Sequence, residues 1–134
     1  MNDTPILHIA AALIEDAEGR LLLVRKRGTE AFMQAGGKIE PDESPAAALV
    51  RELEEELGQP PTRFEPLGEF SAPAANEPGH GLHAHLFRAE LAGPLQAAAE
   101  IAELRWVTPA EALALPLAPL TRDEVLPRAG LAEA

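Results

Sequence analysis

The sequence predicts an α/β fold in which strands and helices interleave. Four short apolar runs are typical of strands: residues 6–14, 21–24, 82–91 and 104–107. One longer segment, residues 45–57, instead has its apolar residues at helical spacing. The 134 residues contain no internal repeat and no linker-like segment. We therefore expect a single domain over residues 1–134.

The composition excludes several classes of protein. Twenty-two acidic residues against 11 basic ones give a net charge of −11, so we expect no nucleic-acid polymer as a partner. The absence of cysteine excludes a disulfide framework, a thiolate zinc site and a cysteine nucleophile. No apolar run near the start is long enough to span a membrane, and no basic region of a signal peptide precedes Arg20. We expect a cytoplasmic protein with no membrane partner.

The first two apolar runs predict a β-hairpin. Residues 6–14 and 21–24 flank a polar turn that contains Gly19. The second run leads into Arg25-Lys26-Arg27, the densest basic cluster of the chain. Residues 28–43 have the composition of a loop.

The central helix has recognisable start and stop signals. Ser44 suits the N-cap and Pro45 the first helical position. Gly58 is typical of a helix C-terminus, and the Pro60-Pro61 pair prevents continuation.

The second half of the chain predicts shorter elements. Residues 62–70 and 82–91 are expected as strands around an exposed loop at 72–81, and residues 92–100 as a loop before a short strand at 104–107. Thr108 to Glu111 has the capping-box pattern of a short helix, and residues 121–124 repeat this signature.

Three glutamates of the central helix point to metal chemistry. Glu52, Glu55 and Glu56 stand at i, i+3 and i+4, so they project from one helix face, whereas Glu54 points elsewhere. Like charges at this spacing repel by roughly 0.2–0.5 kcal/mol per exposed pair. A divalent cation with a preference for oxygen ligands relieves that repulsion. A solvated acidic helix face is the alternative, and the charge run alone leaves both open.

A longer motif surrounds these glutamates. The stretch Gly37-x5-Glu43-x7-Arg51-Glu52-Leu53-x-Glu55-Glu56-x-Gly58 resembles the box of the Nudix family, in its MutT-like form, at every charged and glycine position. Gln59 departs from the aliphatic residue expected at the last position. Ala35 stands where a proline often precedes the Gly-Gly pair. Neither departure removes a catalytic group.

The resemblance implies a Nudix-type α/β/α sandwich with a mixed β-sheet and the box helix packed on it. It also implies a metal-dependent hydrolase that cleaves a diphosphate bond in a nucleoside diphosphate linked to another group. A small nucleotide such as a modified nucleoside triphosphate is the expected substrate. The expected cofactor is Mg²⁺ or Mn²⁺. The ligands implied by the family are Gly37 through its carbonyl, Glu52, Glu55, Glu56 and Glu100.

The family also implies roles for neighbouring groups. Arg51 is expected to orient a box glutamate, and Glu43 to support the site electrostatically. The general base in the family is either a box glutamate, here Glu52 or Glu55, or an acid on a later loop. Glu100 is at a position that resembles this acid, and Glu103 is its rival.

Substrate contacts are predicted from residue type alone. Arg25, Lys26 and Arg27 of the basic cluster are candidates to bind phosphates, and so is Lys38. At most two residues of the cluster can share one strand face, and Arg25, Arg27 and Lys38 are the preferred set. A solvated strand edge is the alternative. Phe32, in the loop before the box, is the candidate for stacking on a base. Asn76 and Glu77 either contact substrate or belong to a plain turn.

The histidines of the later strand invite a zinc interpretation. His83 and His85 share one strand face, but the sequence offers no third ligand at typical spacing. Packing or a hydrogen bond to substrate is the preferred interpretation.

Other functions are compatible with parts of this pattern. A nucleotide-sensing Nudix module without activity usually lacks box glutamates, and all are present here. An RNA 5′-end pyrophosphohydrolase is disfavoured by the acidic charge. The isomerase branch that acts on isopentenyl diphosphate uses a cysteine, which this chain lacks. A homodimer is a further expectation, because dimers are common in the family.

Overall fold

The computed structural model describes residues 4–129, so residues 1–3 and 130–134 of the predicted domain lie outside the described residues. The strands are β1 (Ile6–Ile14), β2 (Leu21–Lys26), β3 (Phe32–Met33), β4 (Gly36–Lys38), β5 (Arg63–Pro73), β6 (Gly81–Glu90) and β7 (Ile101–Val107). The α-helices are α1 (Pro45–Leu57) and α2 (Pro109–Ala112). A π-helical segment (Thr121–Val125) and a 3₁₀ turn (Leu126–Arg128) follow.

The strands form two sheets. The larger sheet has the order β4-β1-β6-β5, with β1 and β6 parallel and the other pairs antiparallel. The smaller sheet has the order β3-β2-β7 and is antiparallel throughout. The predicted mixed α/β fold with a mixed sheet is confirmed.

Alternating residues of the strands build two cores, one on each side of the sheets. In β1, Ala10 and Ala12 belong to the core under α1, whereas Ala11 and Leu13 belong to the opposite core with Val125 of the C-terminal segment. Successive side chains of a strand point to opposite faces, so one apolar run serves both cores. The sheets therefore lie between helical layers, as the predicted α/β/α sandwich requires.

Helix α1 begins and ends where the sequence predicts. The Ser44 hydroxyl accepts a hydrogen bond from the Ala47 N–H at 3.1 Å, and Pro45 is the first helical residue. Gly58 ends the helix with φ at 83°, in the left-handed region that favours glycine. The stripe Leu49, Leu53 and Leu57 is fully buried, and each side chain contributes about 1.5–3 kcal/mol by its burial. This packing fixes which face of α1 presents the glutamates.

The predicted hairpin is wrong. β1 and β2 belong to different sheets, and they meet at the isolated bridge between Glu15 and Leu21, next to the turn. The Asp16 carboxylate accepts hydrogen bonds from the backbone N–H groups of Glu18 and Arg20, so the turn itself forms. Both apolar runs are buried on two faces, and continuous apolar runs are typical of strands with neighbours on either side.

Three other expectations need correction. Residues 28–43 contain the short strands β3 and β4 as well as loops. The strand after α1 runs on to Pro73, past a register shift between Pro66 and Gly68, and β7 begins at Ile101. The capping signature at 121–124 forms no side-chain cap, because the Thr121 hydroxyl donates to Gln34 in the interior. The capping box at Thr108, by contrast, is confirmed.

Within residues 4–129, no helix has the length and apolar character needed to cross a membrane.

Candidate active site

One pocket collects most of the residues singled out by the box. It lies between the end of β2, strand β4, helix α1 and the loop before β7. The lining residues are Lys26, Gly36, Gly37, Lys38, Glu40, Arg51, Glu52, Glu55, Glu56, Glu77, Ala99 and Glu100. Six carboxylates thus face three basic side chains, so the pocket needs added positive charge before it can accept an anionic diphosphate.

Glu56 is the most buried carboxylate of the pocket. Its side chain is on the inner side of α1, the residue is 6% exposed, and the backbone N–H of Gly36 donates to its Oε1 at 3.1 Å. Burial raises the pKa of Glu56 to about 7, against the lowering effect of the Gly36 hydrogen bond. A cation bound beside Glu56 would lower this pKa again, because it stabilises the ionised carboxylate.

Glu52 lies against the Gly37 backbone. A Cβ atom on Gly37 would lie 2.2 Å from Oε2 of Glu52, so only glycine permits this approach. The Glu52 side chain is 13% exposed, and burial raises its pKa, with Arg51 opposing that shift. The Gly-Gly element therefore brings loop backbone and a helix carboxylate into one small volume.

Arg51 and Glu43 link the loop after β4 to helix α1. Arg51 Nε donates to Glu43 Oε2 at 2.7 Å, and its Nη2 donates to Glu43 Oε1 at 2.8 Å and to the Lys38 carbonyl at 3.0 Å. Arg51 Nη1 also lies 3.4 Å from Glu52 Oε1. The hydrogen bond from Arg51 lowers the pKa of Glu43 to about 2. Glu43 is not among the pocket-lining residues, so it acts on the pocket through Arg51.

Glu100 and Glu103 are the two candidates for the general base on a loop, and their surroundings differ. Glu100 lines the pocket with its side chain 75% exposed and its Oε2 3.8 Å from Lys26 Nζ. Its carbonyl accepts a hydrogen bond from the Arg27 N–H at 2.7 Å. Glu103 instead accepts hydrogen bonds from Arg25 and Arg105, and these bonds lower its pKa. The geometry favours Glu100, and its role stays a prediction.

Of the phosphate-binding candidates, the structure places Lys26 and Lys38 in this pocket. Arg25 is held by Glu103 and by the Thr29 carbonyl, and Arg27 is not among the lining residues. The structure thus brings Lys26 to the pocket in place of the preferred pair Arg25 and Arg27. Because strand residues alternate faces, Arg25 and Lys26 point to opposite sides of β2, and the sequence alone does not show which side faces the pocket.

The Phe32 ring is not positioned to stack on a base of a bound nucleotide. It is 5% exposed within the core on the side opposite α1, and the Arg105 guanidinium lies 5.0 Å from its ring centroid. Its position next to the box in sequence gave no indication that β3 buries it.

A second, mostly apolar pocket adjoins the acidic one. The two share the lining residues Lys26, Gly36, Gly37, Lys38 and Glu77. The wall of the second pocket is apolar where β1 and β6 meet, with Leu7, Ile9 and Leu82. Its polar lining includes Gln34, Asn76 and Thr121, of which the sequence indicates only Asn76 as a substrate contact.

The donor set of the acidic pocket fits a hard divalent cation. The candidate ligand atoms are oxygens, from the carboxylates of the pocket and the Gly37 carbonyl. Oxygen ligands suit Mg²⁺ and Mn²⁺. The buried Glu56 and the close contact between Gly37 and Glu52 provide charged, pre-positioned donors of the kind that such an ion requires.

Comparisons with known proteins place the fold and the box in one family. A family model for the NUDIX domain matches residues 6–129. The chain is 42% identical over 120 residues to CTP pyrophosphohydrolase of Escherichia coli, which covers 85% of this chain and 84% of that protein. It is also 38% identical over 60 residues to 8-oxo-dGTP diphosphatase of Haemophilus influenzae, covering 42% and 44% of the two chains. An E. coli protein solved in solution superposes with a TM-score of 0.72 at 37% identity, covering 98% of this chain and 93% of that one. The chain belongs to the NUDIX family.

Proposed function

We propose that this protein is a metal-dependent hydrolase that cleaves a diphosphate bond in a small nucleotide, with a nucleoside triphosphate as the substrate class. The observation that carries the proposal is the joined pair of pockets: an acidic one built by the box and an apolar one beside it. The similarity to a protein named CTP pyrophosphohydrolase supports the same substrate class. The two pockets match the two halves of such a substrate, one charged and one largely apolar.

The acidic pocket would hold Mg²⁺ or Mn²⁺. The residues assigned as ligands are Gly37, Glu52, Glu55, Glu56 and Glu100. When bound, the ion neutralises phosphate charge, lowers the pKa of water and stabilises the leaving group.

The residues of the chain position the substrate and move the proton. Lys26 and Lys38 contact the phosphates, since both line the pocket. Glu100 accepts the proton of the attacking water, because its exposed carboxylate reaches the pocket from a loop. Arg51 keeps Glu52 in place, and Glu43 keeps Arg51 in place. Glu52 and Glu55 remain the alternative bases.

The nucleoside occupies the apolar pocket in this proposal. Leu7, Ile9 and Leu82 exclude water from the base, and Asn76 offers donors and an acceptor to its polar edge. We expect free nucleotides rather than a nucleic-acid polymer, since carboxylates outnumber basic groups around the pocket.

Other expectations remain predictions beside this function. The family match over residues 6–129 supports one domain over 1–134. A cytoplasmic location and a homodimer are tested by cell fractionation and by the mass of the protein in solution.

The test is release of phosphate or pyrophosphate from a nucleotide panel that includes CTP and 8-oxo-dGTP, with Mg²⁺ or Mn²⁺. We expect turnover that Glu55→Gln and Glu56→Gln reduce by roughly 100-fold or more, since metal stabilisation of charge contributes several kcal/mol. Glu54→Gln is the matched control, because Glu54 is exposed on the same helix and does not line the pocket. Tight nucleotide binding by folded wild type without turnover would indicate a sensing module instead. Turnover retained in both variants would show that the box is not the site.

A further inference from the structure

A second cluster of metal-ligating side chains lies on the larger sheet, away from the acidic pocket. It consists of His83 and His85 on β6 and Glu69 on β5, none of which lines that pocket. One ligand atom from each of the three residues lies within 4.8 Å of the others. In the sequence, no third ligand stands at typical spacing from the two histidines. Glu69 supplies it from the neighbouring strand, where spacing along the chain cannot reveal it.

The sheet itself brings the three side chains together. His83 and His85 are two residues apart on β6, so they project from the same face. Glu69 is directly opposite His85 in the antiparallel pair β5–β6. Directly opposite residues have Cβ atoms about 4.5–5.5 Å apart. Backbone pairing, rather than loop conformation, therefore holds the cluster.

The distances are close to those of a metal site. Glu69 Oε1 lies 2.7 Å from His83 Nε2 and 3.9 Å from His85 Nε2. Tetrahedral ligands bound at about 2.1 Å from zinc are roughly 3.4 Å apart. These two separations fall on either side of that value, and the ligand atoms of His83 and His85 lie within 4.8 Å of each other, so side-chain rotations can bring the three groups around one ion. The hydrogen bond between Glu69 and His83 is then exchanged for bonds to the metal.

We propose that Glu69, His83 and His85 form a binding site for Zn²⁺ or a similar transition-metal ion. Two imidazoles with one carboxylate match a three-ligand zinc site, with water in the fourth position. This donor set disfavours Mg²⁺, which prefers oxygen ligands and keeps its waters. The three side chains are partly exposed, so the ion has access from solvent. His8 lies next to His83 with ring centroids 5.5 Å apart, and we assign it no ligand role.

The site is distinct in chemistry and position from the proposed catalytic pocket. A metal bound here links β5 to β6 and stabilises the folded protein, because it binds only where the two strands are paired. It requires neither nucleotide nor the box glutamates.

The test is equilibrium dialysis of the metal-free full chain against Zn²⁺ in excess Mg²⁺, which occupies oxygen-ligand sites. We expect one Zn²⁺ equivalent more in wild type than in the double variant His83→Asn/His85→Asn. Glu69→Gln should weaken that binding at least tenfold. His80→Asn is the matched control and should bind as wild type does, since His80 lies outside the cluster.

A second measurement uses only wild-type protein, so its result does not depend on whether the variants fold. In ¹⁵N spectra of wild-type protein, Zn²⁺ should shift the ring nitrogens of His83 and His85 and leave those of His80 unchanged. Equal zinc binding by wild type and the double variant, or no shift of the two rings, would overturn the proposal. Mg²⁺-dependent hydrolysis by the double variant is expected to match wild type, so this test and that of the proposed function fail independently.

Discussion

Arg51 of α1 holds Glu43 of the preceding loop through two hydrogen bonds, at 2.7 Å and 2.8 Å. The same guanidinium donates to the Lys38 carbonyl and lies 3.4 Å from Glu52. One side chain thus connects β4, the loop after it and the helix that presents the glutamates. The planar fork of arginine makes these contacts together, whereas a lysine ammonium offers a single charged point.

Arg51→Lys should therefore lower activity although it conserves charge. The lysine cannot keep both bonds to Glu43 and the bond to Lys38, so Glu52 loses its fixed orientation. We expect a 10–100-fold fall in kcat/KM, the usual cost of losing a group that orients a metal ligand. Steady-state kinetics with Mg²⁺ measure the effect. Arg63→Lys is the control, because the Arg63 side chain is exposed and its ion pair with Glu90 is loose, at 3.9 Å. Equal loss in both variants would argue against a positioning role.

The Glu43–Arg51 pair also predicts a pH dependence of stability. The hydrogen bond from Arg51 lowers the pKa of folded Glu43 to about 2, below its ordinary value of 4.5. A lowered pKa stabilises the folded state above the unfolded pKa, and this contribution is lost as pH falls through the folded pKa. The wild type should thus be more stable than Glu43→Gln above pH 4.5, and the difference should shrink toward pH 2.

Urea unfolding of the metal-free protein at a series of pH values measures this difference. Glu54→Gln, an exposed position of helix α1, serves as the control, and its difference in unfolding free energy from wild type should vary less with pH. A difference for Glu43→Gln that is constant from pH 6 to pH 2 would contradict the linkage.

The sequence predicted the parts of this molecule that local rules govern. Ser44, Pro45 and Gly58 delimit α1 through capping and backbone preferences, and these act over a few residues. The spacing of Glu52, Glu55 and Glu56 followed from the helical period. The hairpin failed because strand partners are chosen by burial across the whole fold, and the nearest run in sequence was not the partner.

The site residues that the sequence missed or left open depend on contacts between distant segments. Lys26 lines the acidic pocket and Arg25 and Arg27 do not, because the packing of β2 in the whole fold decides which face of the strand meets the pocket. Glu69 joins His83 and His85 through the β5–β6 register. Gln34 and Thr121 meet across 87 residues. No periodicity within one segment carries that information.

Gly37→Ala should impair activity more than folding. The new Cβ would lie 2.2 Å from Glu52 Oε2, so the carboxylate must move away from the loop. We expect a fall in kcat/KM of about 10-fold or more, since a small misplacement of a catalytic group is costly. Kinetics and thermal unfolding are measured together. Gly81→Ala is the matched control, because its Cβ would meet the flexible end of the Ile6 side chain at 3.1 Å and the Ala72 carbonyl oxygen at an ordinary 3.9 Å. Full activity in Gly37→Ala would show that the contact has no catalytic importance.

The two candidate loop acids are separated by paired variants. Glu100→Gln should lower kcat by about 100-fold or more if its carboxylate accepts the proton from water. Glu103→Gln should stay within a few-fold of wild type, because its contacts are to Arg25 and Arg105 outside the pocket. The pH profile of kcat adds a second readout, since loss of the base should remove its acidic limb. The reverse ranking of the two variants would exclude Glu100 as the base.

The buried hydrogen bond between Thr121 and Gln34 should stabilise the C-terminal segment against the sheets. The Thr121 hydroxyl donates to Gln34 Oε1 at 2.9 Å, and Gln34 Nε2 donates to the Ala12 carbonyl at 3.1 Å. Thr121 is fully buried, so Thr121→Val keeps the shape but leaves the amide oxygen without its donor. We expect a loss of about 1–3 kcal/mol in the free energy of unfolding, measured with urea. Thr62→Val removes an exposed hydroxyl that donates to the Glu90 carbonyl, and it should cost no more than about 0.5 kcal/mol. Equal losses of unfolding free energy in the two variants would mean that burial does not increase the contribution of the Thr121 hydrogen bond to stability.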